Sequence, residues 1–448
     1  MAAKEGSAGP PPDDAESPER NTAPRRRRFS RSQKVIGVFV AVFGVLTGAV
    51  GFVPDLRELW PNGDPPKLDG SVNIVIAEIA LDTAVKKGWE EEVAHRFSNK
   101  LFAFVKSEIS EAGHIEVGRS ANRDVGNYRT EGERAERLRR DLASRDGHIA
   151  ISGTLVPGVV TRLRVEIYLD RNKLDEAYQL GGLQSLAGKE FGDIATNPAA
   201  QKLAQDYLLE KARVYTDLIV AVGEYGTEGR RGLDRSLRAM HALLPKLTEP
   251  AERSFGWLLI GNAEARARRQ KKAIQAYHKA LDADPASVRA RLGLAEIDYL
   301  RAGGSFSEGM CTPQVSRLPT LRKLESSYQA LIARLGNDQH DLRPRAEFAL
   351  ARTRLCILLV RGKGPIDQIE AGFRAAAAVL EQDGGKTWLR TLTADAYAML
   401  GATSLLPLQN RPPDPARARR YYQAAAETTP DASRRAMYER RRDGISLP

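Results

Sequence analysis

Three kinds of hydrophobic pattern follow one another along the chain. The first is continuous: residues 35–53 form a run of nineteen without a charge. At about 1.5 Å per residue such a run is long enough to cross a hydrocarbon core, so it predicts a single transmembrane helix. The second is short and strand-like. Residues 72–79 place Val72, Ile74, Val75 and Ile76 together, which reads as a strand buried on both faces. Leu163, Val165, Ile167 and Leu169 alternate with Arg162, Arg164, Glu166 and Tyr168, a strand with one wet face. Helices are expected at 86–112 and 131–145, and strands at 115–117 and 149–155. The order β-α-β-α-β-β predicts a small α/β domain over 71–195. The third pattern has helical period and runs from residue 199 to the end.

Within that last region the helices fall into pairs, the first at 199–222 and 232–244. Residues 254–287 form the sharpest unit, with Trp257, Ile260, Gly261, Ala273, Tyr277, Ala280 and Pro285 at fixed offsets. Small residues at Gly261, Ala273 and Ala280 let two helices approach, and Pro285 stops the second one. This unit resembles the 34-residue tetratricopeptide repeat of bacterial type, departing from it at Glu264, where that family has tyrosine. Weaker pairs follow at 289–335, 345–382 and 387–428. Ala418, Tyr422, Ala425 and Pro430 restate the spacing in the last pair. The resemblance implies a curved helical solenoid over 199–448 that binds a protein or peptide in its concave groove. The groove candidates on first helices are Asn262, Glu264, Arg291 and Asp298. The competing reading of these four is ordinary solvated helix positions.

The α/β region carries its own resemblance. Gly147–Leu155, with Ser152-Gly153-Thr154 inside it, followed by the hairpin strand from Arg162, is similar to modules that precede such repeat arrays in bacterial membrane-linked regulators. These modules are akin to the N-terminal domain of the translocation protein TolB.

Flanking composition gives the predicted span a direction. Residues 1–34 are rich in Pro, Gly, Ser and charge, and read as a disordered tail. Arg25, Arg26, Arg27 and Arg28 lead a basic cluster before the span, whereas the linker at 54–70 carries more acids than bases. The positive-inside rule then puts the N-terminus in the cytoplasm of a bacterial cell and the later domains outside the membrane. Gly44 and Gly48 place small residues on one face of the span, a spacing that permits homodimerisation there. The fold class expected from all this is mostly α with an α+β part: one transmembrane helix, a small α/β domain, then the repeat-like solenoid.

Candidate chemistry changes this picture little. No phosphate loop, H-E-x-x-H, G-x-S-x-G or dinucleotide fingerprint is present. Gly384-Gly385-Lys386-Thr387 mimics the tail of a phosphate loop but joins two helices. The six histidines lack ligand-like spacing, so neither a metal, a cofactor nor a catalytic set is expected. Glu90, Glu91 and Glu92 open a helix, where capping explains them. Cys356 lies in an apolar helix run and reads as a buried hydrophobe; pairing with Cys311 is the alternative if the compartment is oxidising. The formal net charge of +11 includes an arginine-rich C-terminal stripe: Arg417, Arg419, Arg420, Arg434, Arg435, Arg440, Arg441 and Arg442. That stripe supports an alternative function, binding an anionic polymer such as a nucleic acid, lipid headgroup or envelope polymer. With 6% aromatic residues and no groove-reading motif, nucleic acid is the less favoured of these. The leading expectation is a membrane-anchored interaction scaffold, not an enzyme.

Overall fold

A computed structural model of the chain describes residues 67–68, 70, 72–81, 88–109, 115–120, 130–156, 161–170, 180–191, 197–226, 230–304, 314–335, 342–383, 387–407 and 411–446. The strands are β1 (Val72–Ile76), β2 (Ala80–Leu81), β3 (Ile115–Arg119), β4 (Ile149–Val156), β5 (Thr161–Leu169) and β6 (Gly182–Phe191). They form one mixed sheet in the order β3-β1-β4-β5-β6, with β2 paired to β4. β1 runs parallel to both β3 and β4, and β4, β5 and β6 continue as antiparallel neighbours.

Two helices, α1 (Gly88–Ile109) and α2 (Glu131–Arg145), connect the parallel strands. Residues of β1 alternate between them. Val72, Ile74 and Ile76 join Ala94, Leu101, Val105 and Ile109 of α1 in one core, while Val75 and Ala77 join Leu138 and Leu142 of α2 in another. Every residue of β1 is therefore buried, as its β-branched residues Val72, Ile74, Val75 and Ile76 predict, and the polar Asn73 is buried with them. The start of α2 is fixed by a capping box between Thr130 and Glu133. The wet face predicted for β5 is wet only in part. Arg162 is exposed, but Glu166 is 1% exposed, because Arg134 of α2 lies over it and donates at 2.9 Å.

Eleven helices follow in the described residues: α3 (Pro198–Gly226), α4 (Arg230–Leu243), α5 (Pro250–Arg266), α6 (Gln270–Ala283), α7 (Val288–Arg301), α8 (Leu318–Arg334), α9 (Arg343–Arg361), α10 (Ile366–Asp383), α11 (Thr387–Ser404), α12 (Pro415–Thr428) and α13 (Ala432–Asp443). Each packs on the next in sequence. In addition α3, α5, α7 and α9 touch one another in a row. Links as short as the one between Arg266 and Gln270 force consecutive helices to run antiparallel. First helices thus crowd on one side and second helices spread on the other, the geometry of a curved helical array.

Two expectations change here. The sheet and the array are not separate bodies joined near residue 197. One hydrophobic core runs from Val72 and Ile74 through Tyr215, Leu218 and Ile219 of α3 to Ala290 and Ile297 of α7. α3 packs on both α1 and β6, and Gly223 comes against Val72. Residues 64–448 accordingly form a single compact unit. The transmembrane helix of the expected fold class is left without support: among the described residues no helix is long and apolar enough to cross a membrane. The longest, α3, spans 29 residues but carries Lys202, Asp206, Glu210, Lys211, Asp217 and Glu224. Residues 35–53, with Gly44, Gly48 and the basic cluster Arg25–28 before them, lie outside the described residues.

Candidate functional site

The helix pair α5/α6 shows what the signature residues do. A Cβ at position 261 would lie 2.5 Å from the Tyr277 ring, so Gly261 permits the close approach. Ala273, Tyr277 and Ala280 are fully buried beneath it, and Ile260 is 3% exposed. Trp257 is half-buried instead, with the Lys279 ammonium 4.2 Å from its ring centroid. Pro285 follows the end of α6 and is exposed; its carbonyl accepts from Arg291 Nη2.

The four groove candidates do not share one fate. Asn262 is 6% exposed and folds back on its own helix, donating from Nδ2 to the Leu258 carbonyl at 2.9 Å. Glu264 is 5% exposed and paired with Arg269. Both belong to α5, which lies against α3, α7 and β6, so neither presents a side chain to a partner. This corrects the expectation that they are open groove positions. Arg289, at the start of α7, marks the edge of that cover. Its Nη1 donates to the Gly181 carbonyl at 2.6 Å and its Nη2 to Leu183 at 3.4 Å, both beside the outer strand β6.

Beyond Arg289 the row opens. Arg291, Leu294 and Asp298 recur at helical spacing along α7 and are half-buried, and Arg301 continues the stripe as an exposed residue. The Asp298 side chain is 37% exposed and lies 3.5 Å from Arg301. Two of the predicted contacts, Arg291 and Asp298, therefore share one accessible stripe. The row is tied together deeper down, where Arg345 of α9 donates to the buried Glu296 of α7 at 2.9 Å.

A second polar cluster, missed by motif reasoning, gathers at the carboxyl ends of β1 and β3. Glu78 follows β1 and is 4% exposed; Arg119 Nη2 contacts its carboxylate at 2.7 Å and His95 Nδ1 at 3.2 Å. The Glu78 carbonyl accepts from Arg137 Nη2 and Ser152 Oγ, each at 2.8 Å. Asp141, one helical turn from Arg137, is 1% exposed. Burial pushes its carboxyl up to about 6, although Ser120, Arg137 and Arg140 pull the other way. The signal for this cluster was available only as charged residues inside apolar segments, whose meeting point depends on strand order. Its members close on one another, so the arrangement chiefly fixes the segment after β1 against β4 and α2.

The arginine stripe at the C-terminus is largely engaged within the chain. Arg434 contacts Asp395 at 2.8 Å, and Tyr438 Oη donates to the same carboxylate at 2.6 Å. Arg435 donates to the Thr429 carbonyl, and Arg442 pairs with Asp443. Cys356 is 1% exposed and disulfide-bonded, and the chain's only other cysteine, Cys311, lies outside the described residues. The pairing reading of Cys356 therefore replaces that of a free buried thiol. Among the described residues no group of three or more His, Cys, Asp or Glu is arranged to hold a metal ion. The glycine-lysine turn at 384–386 also falls outside them. No protein-family model matches the chain, and no curated protein sequence matches it.

Proposed function

We propose that the chain is a helical-repeat interaction scaffold that binds a protein or peptide partner on its row of first helices, from α7 onward. The observation that carries this reading is the half-exposed stripe Arg291–Leu294–Asp298, placed where the row emerges from beneath β6. Local cores support it. Residues of α7, α8 and α9 form one cluster, α9 to α11 a second, and α11 to α13 a third, so the surface is long and built by repetition. Such an array offers contact area, and its mixed charge and leucine at the stripe suit a peptide with both apolar and charged side chains. The disulfide at Cys356 supports an oxidising working place outside the cytoplasm.

The test is affinity capture with the full chain, followed by hydrogen exchange on the recovered complex. The reading expects slowed exchange along α7 and α9. It also expects loss of the partner in a variant combining Arg291→Glu with Asp298→Arg. A partner retained by that variant, or protection confined to residues 72–191, would overturn it.

A further inference from the structure

Glu370 of α10 is 2% exposed, yet three guanidinium groups converge on its carboxylate. Arg411 Nη1 lies 2.7 Å from Oε1, Arg417 Nη2 lies 2.7 Å from Oε2, and Arg374 Nη1 reaches the same Oε2 at 3.4 Å. Burial alone would raise this carboxyl, but the hydrogen bonds and charges of Arg411 and Arg417 outweigh it and hold the group below its ordinary value. One carboxylate balances one of three cations. Asp414, between the two arginines in sequence, accepts the Arg417 backbone N–H at 2.8 Å as the cap of α12. The arginines remain open to solvent, with side chains 50%, 23% and 25% exposed for Arg374, Arg411 and Arg417. Arg411 Nη2 is buried and has no hydrogen-bond partner among the described residues. Arg417 also sits 5.5 Å over the Tyr421 ring, which stacks on Tyr397 at 6.4 Å, so the cationic group has a firm floor.

We propose that Arg374, Arg411 and Arg417 form a binding site for a phosphate monoester group, with Glu370 as the internal anion that holds the arginines together. The surplus of about two positive charges matches the charge of a phosphate monoester near neutral pH, about −1.5 to −2. Guanidinium forks match phosphate oxygens in geometry, and all three side chains keep part of their surface open to solvent. The same chemistry serves a small phosphorylated molecule or a phosphorylated protein segment.

Calorimetric titration of the full chain with inorganic phosphate, O-phosphoserine and acetate, at matched ionic strength, tests the proposal. Saturable binding of either phosphate compound, at least tenfold tighter than acetate, is expected. Preference for O-phosphoserine points to a phosphorylated segment, and preference for inorganic phosphate to a small molecule. Arg411→Ala should weaken binding at least tenfold. Arg374→Ala, at a half-exposed position that leaves the core untouched, should weaken it severalfold. Equal heats for phosphate and acetate, or phosphate binding unchanged in Arg374→Ala and Arg411→Ala, would overturn the proposal.

Discussion

The sheet end and the far helical end of this molecule are stabilised in different ways. From β1 to α7 one hydrophobic core is continuous, and this region also buries charged side chains: Glu78, Arg137, Asp141, Glu166, Lys211 and Glu252 are each at most 4% exposed. From α8 to α13 the cores are small and local, each made by neighbouring helices. There the ion pairs more often include a partly exposed partner, such as Arg354 with Glu325 and Arg434 with Asp395. A continuous core makes its members fold together, whereas local cores let a segment open without the rest. The difference predicts that the first region opens as one unit and the second piece by piece.

The largest expected effect is in the first region. Lys211 of α3 contacts Glu252 of α5 at 2.7 Å, and Tyr215 Oη donates to the same carboxylate at 2.8 Å. Lys211→Ala leaves Glu252 buried with its cation missing, which should destabilise by about 3–5 kcal/mol. In chemical denaturation the transition reported by the sheet should move together with that of α3–α7. A sheet that unfolds at its original midpoint would break the comparison.

In the second region, reduction should act alone. With Cys311 as its partner, the disulfide of Cys356 would close a loop of roughly 45 residues, for which the chain-entropy model gives about 4 kcal/mol at most, with engineered examples often lower. Intact mass after alkylation, with and without reductant, first checks the bond. Thermal unfolding under reductant should then lower the transition of α7–α11 and leave the sheet in place.

Asp141 sharpens the contrast through pH. Its carboxyl is raised to about 6 in the folded chain from an ordinary 3.8, so the folded state holds the proton more tightly than the unfolded one. Stability therefore falls as pH rises between those two values and stays low above them. Asp141→Asn removes the ionisation and should stabilise the chain by about 2–3 kcal/mol at pH 7, and by almost nothing near pH 4. Denaturation midpoints at the two pH values decide it, and equal gains at both would contradict the assigned cause.

The smallest expected effect concerns packing. Gly261→Ala forces a methyl into the Tyr277 ring, and overpacking of this kind costs about 1–3 kcal/mol. Restoring most of the loss by adding Tyr277→Leu, measured as a double-mutant cycle, would confirm the contact.

Much of the architecture was legible in the pattern of residues. The β-branched run at Val72–Ile76, the alternation of β5 and the spacing of Gly261, Ala273, Tyr277 and Ala280 each encode a local period that survives folding. What stayed hidden was non-local. Nothing in the sequence around residue 197 reveals that α3 shares a core with β1, because the contact between Gly223 and Val72 joins positions far apart in the chain. For the same reason Asn262 and Glu264 read as open helix positions, although β6 and α7 close around their helix. Arg291 and Asp298, one helix later, are half-buried, because that cover ends at Arg289. The convergence of Arg411 and Arg417 on Glu370 likewise depends on how α10 meets α12.

Native-state hydrogen exchange on the full chain tests the division most directly. The core amides of β1, β4, α3 and α5 should exchange through one shared opening with the highest free energy in the molecule, and those of α10–α13 through separate, lower ones. A sheet that opens independently of α3 and α5, while α10–α13 exchange in step with those helices, would contradict it.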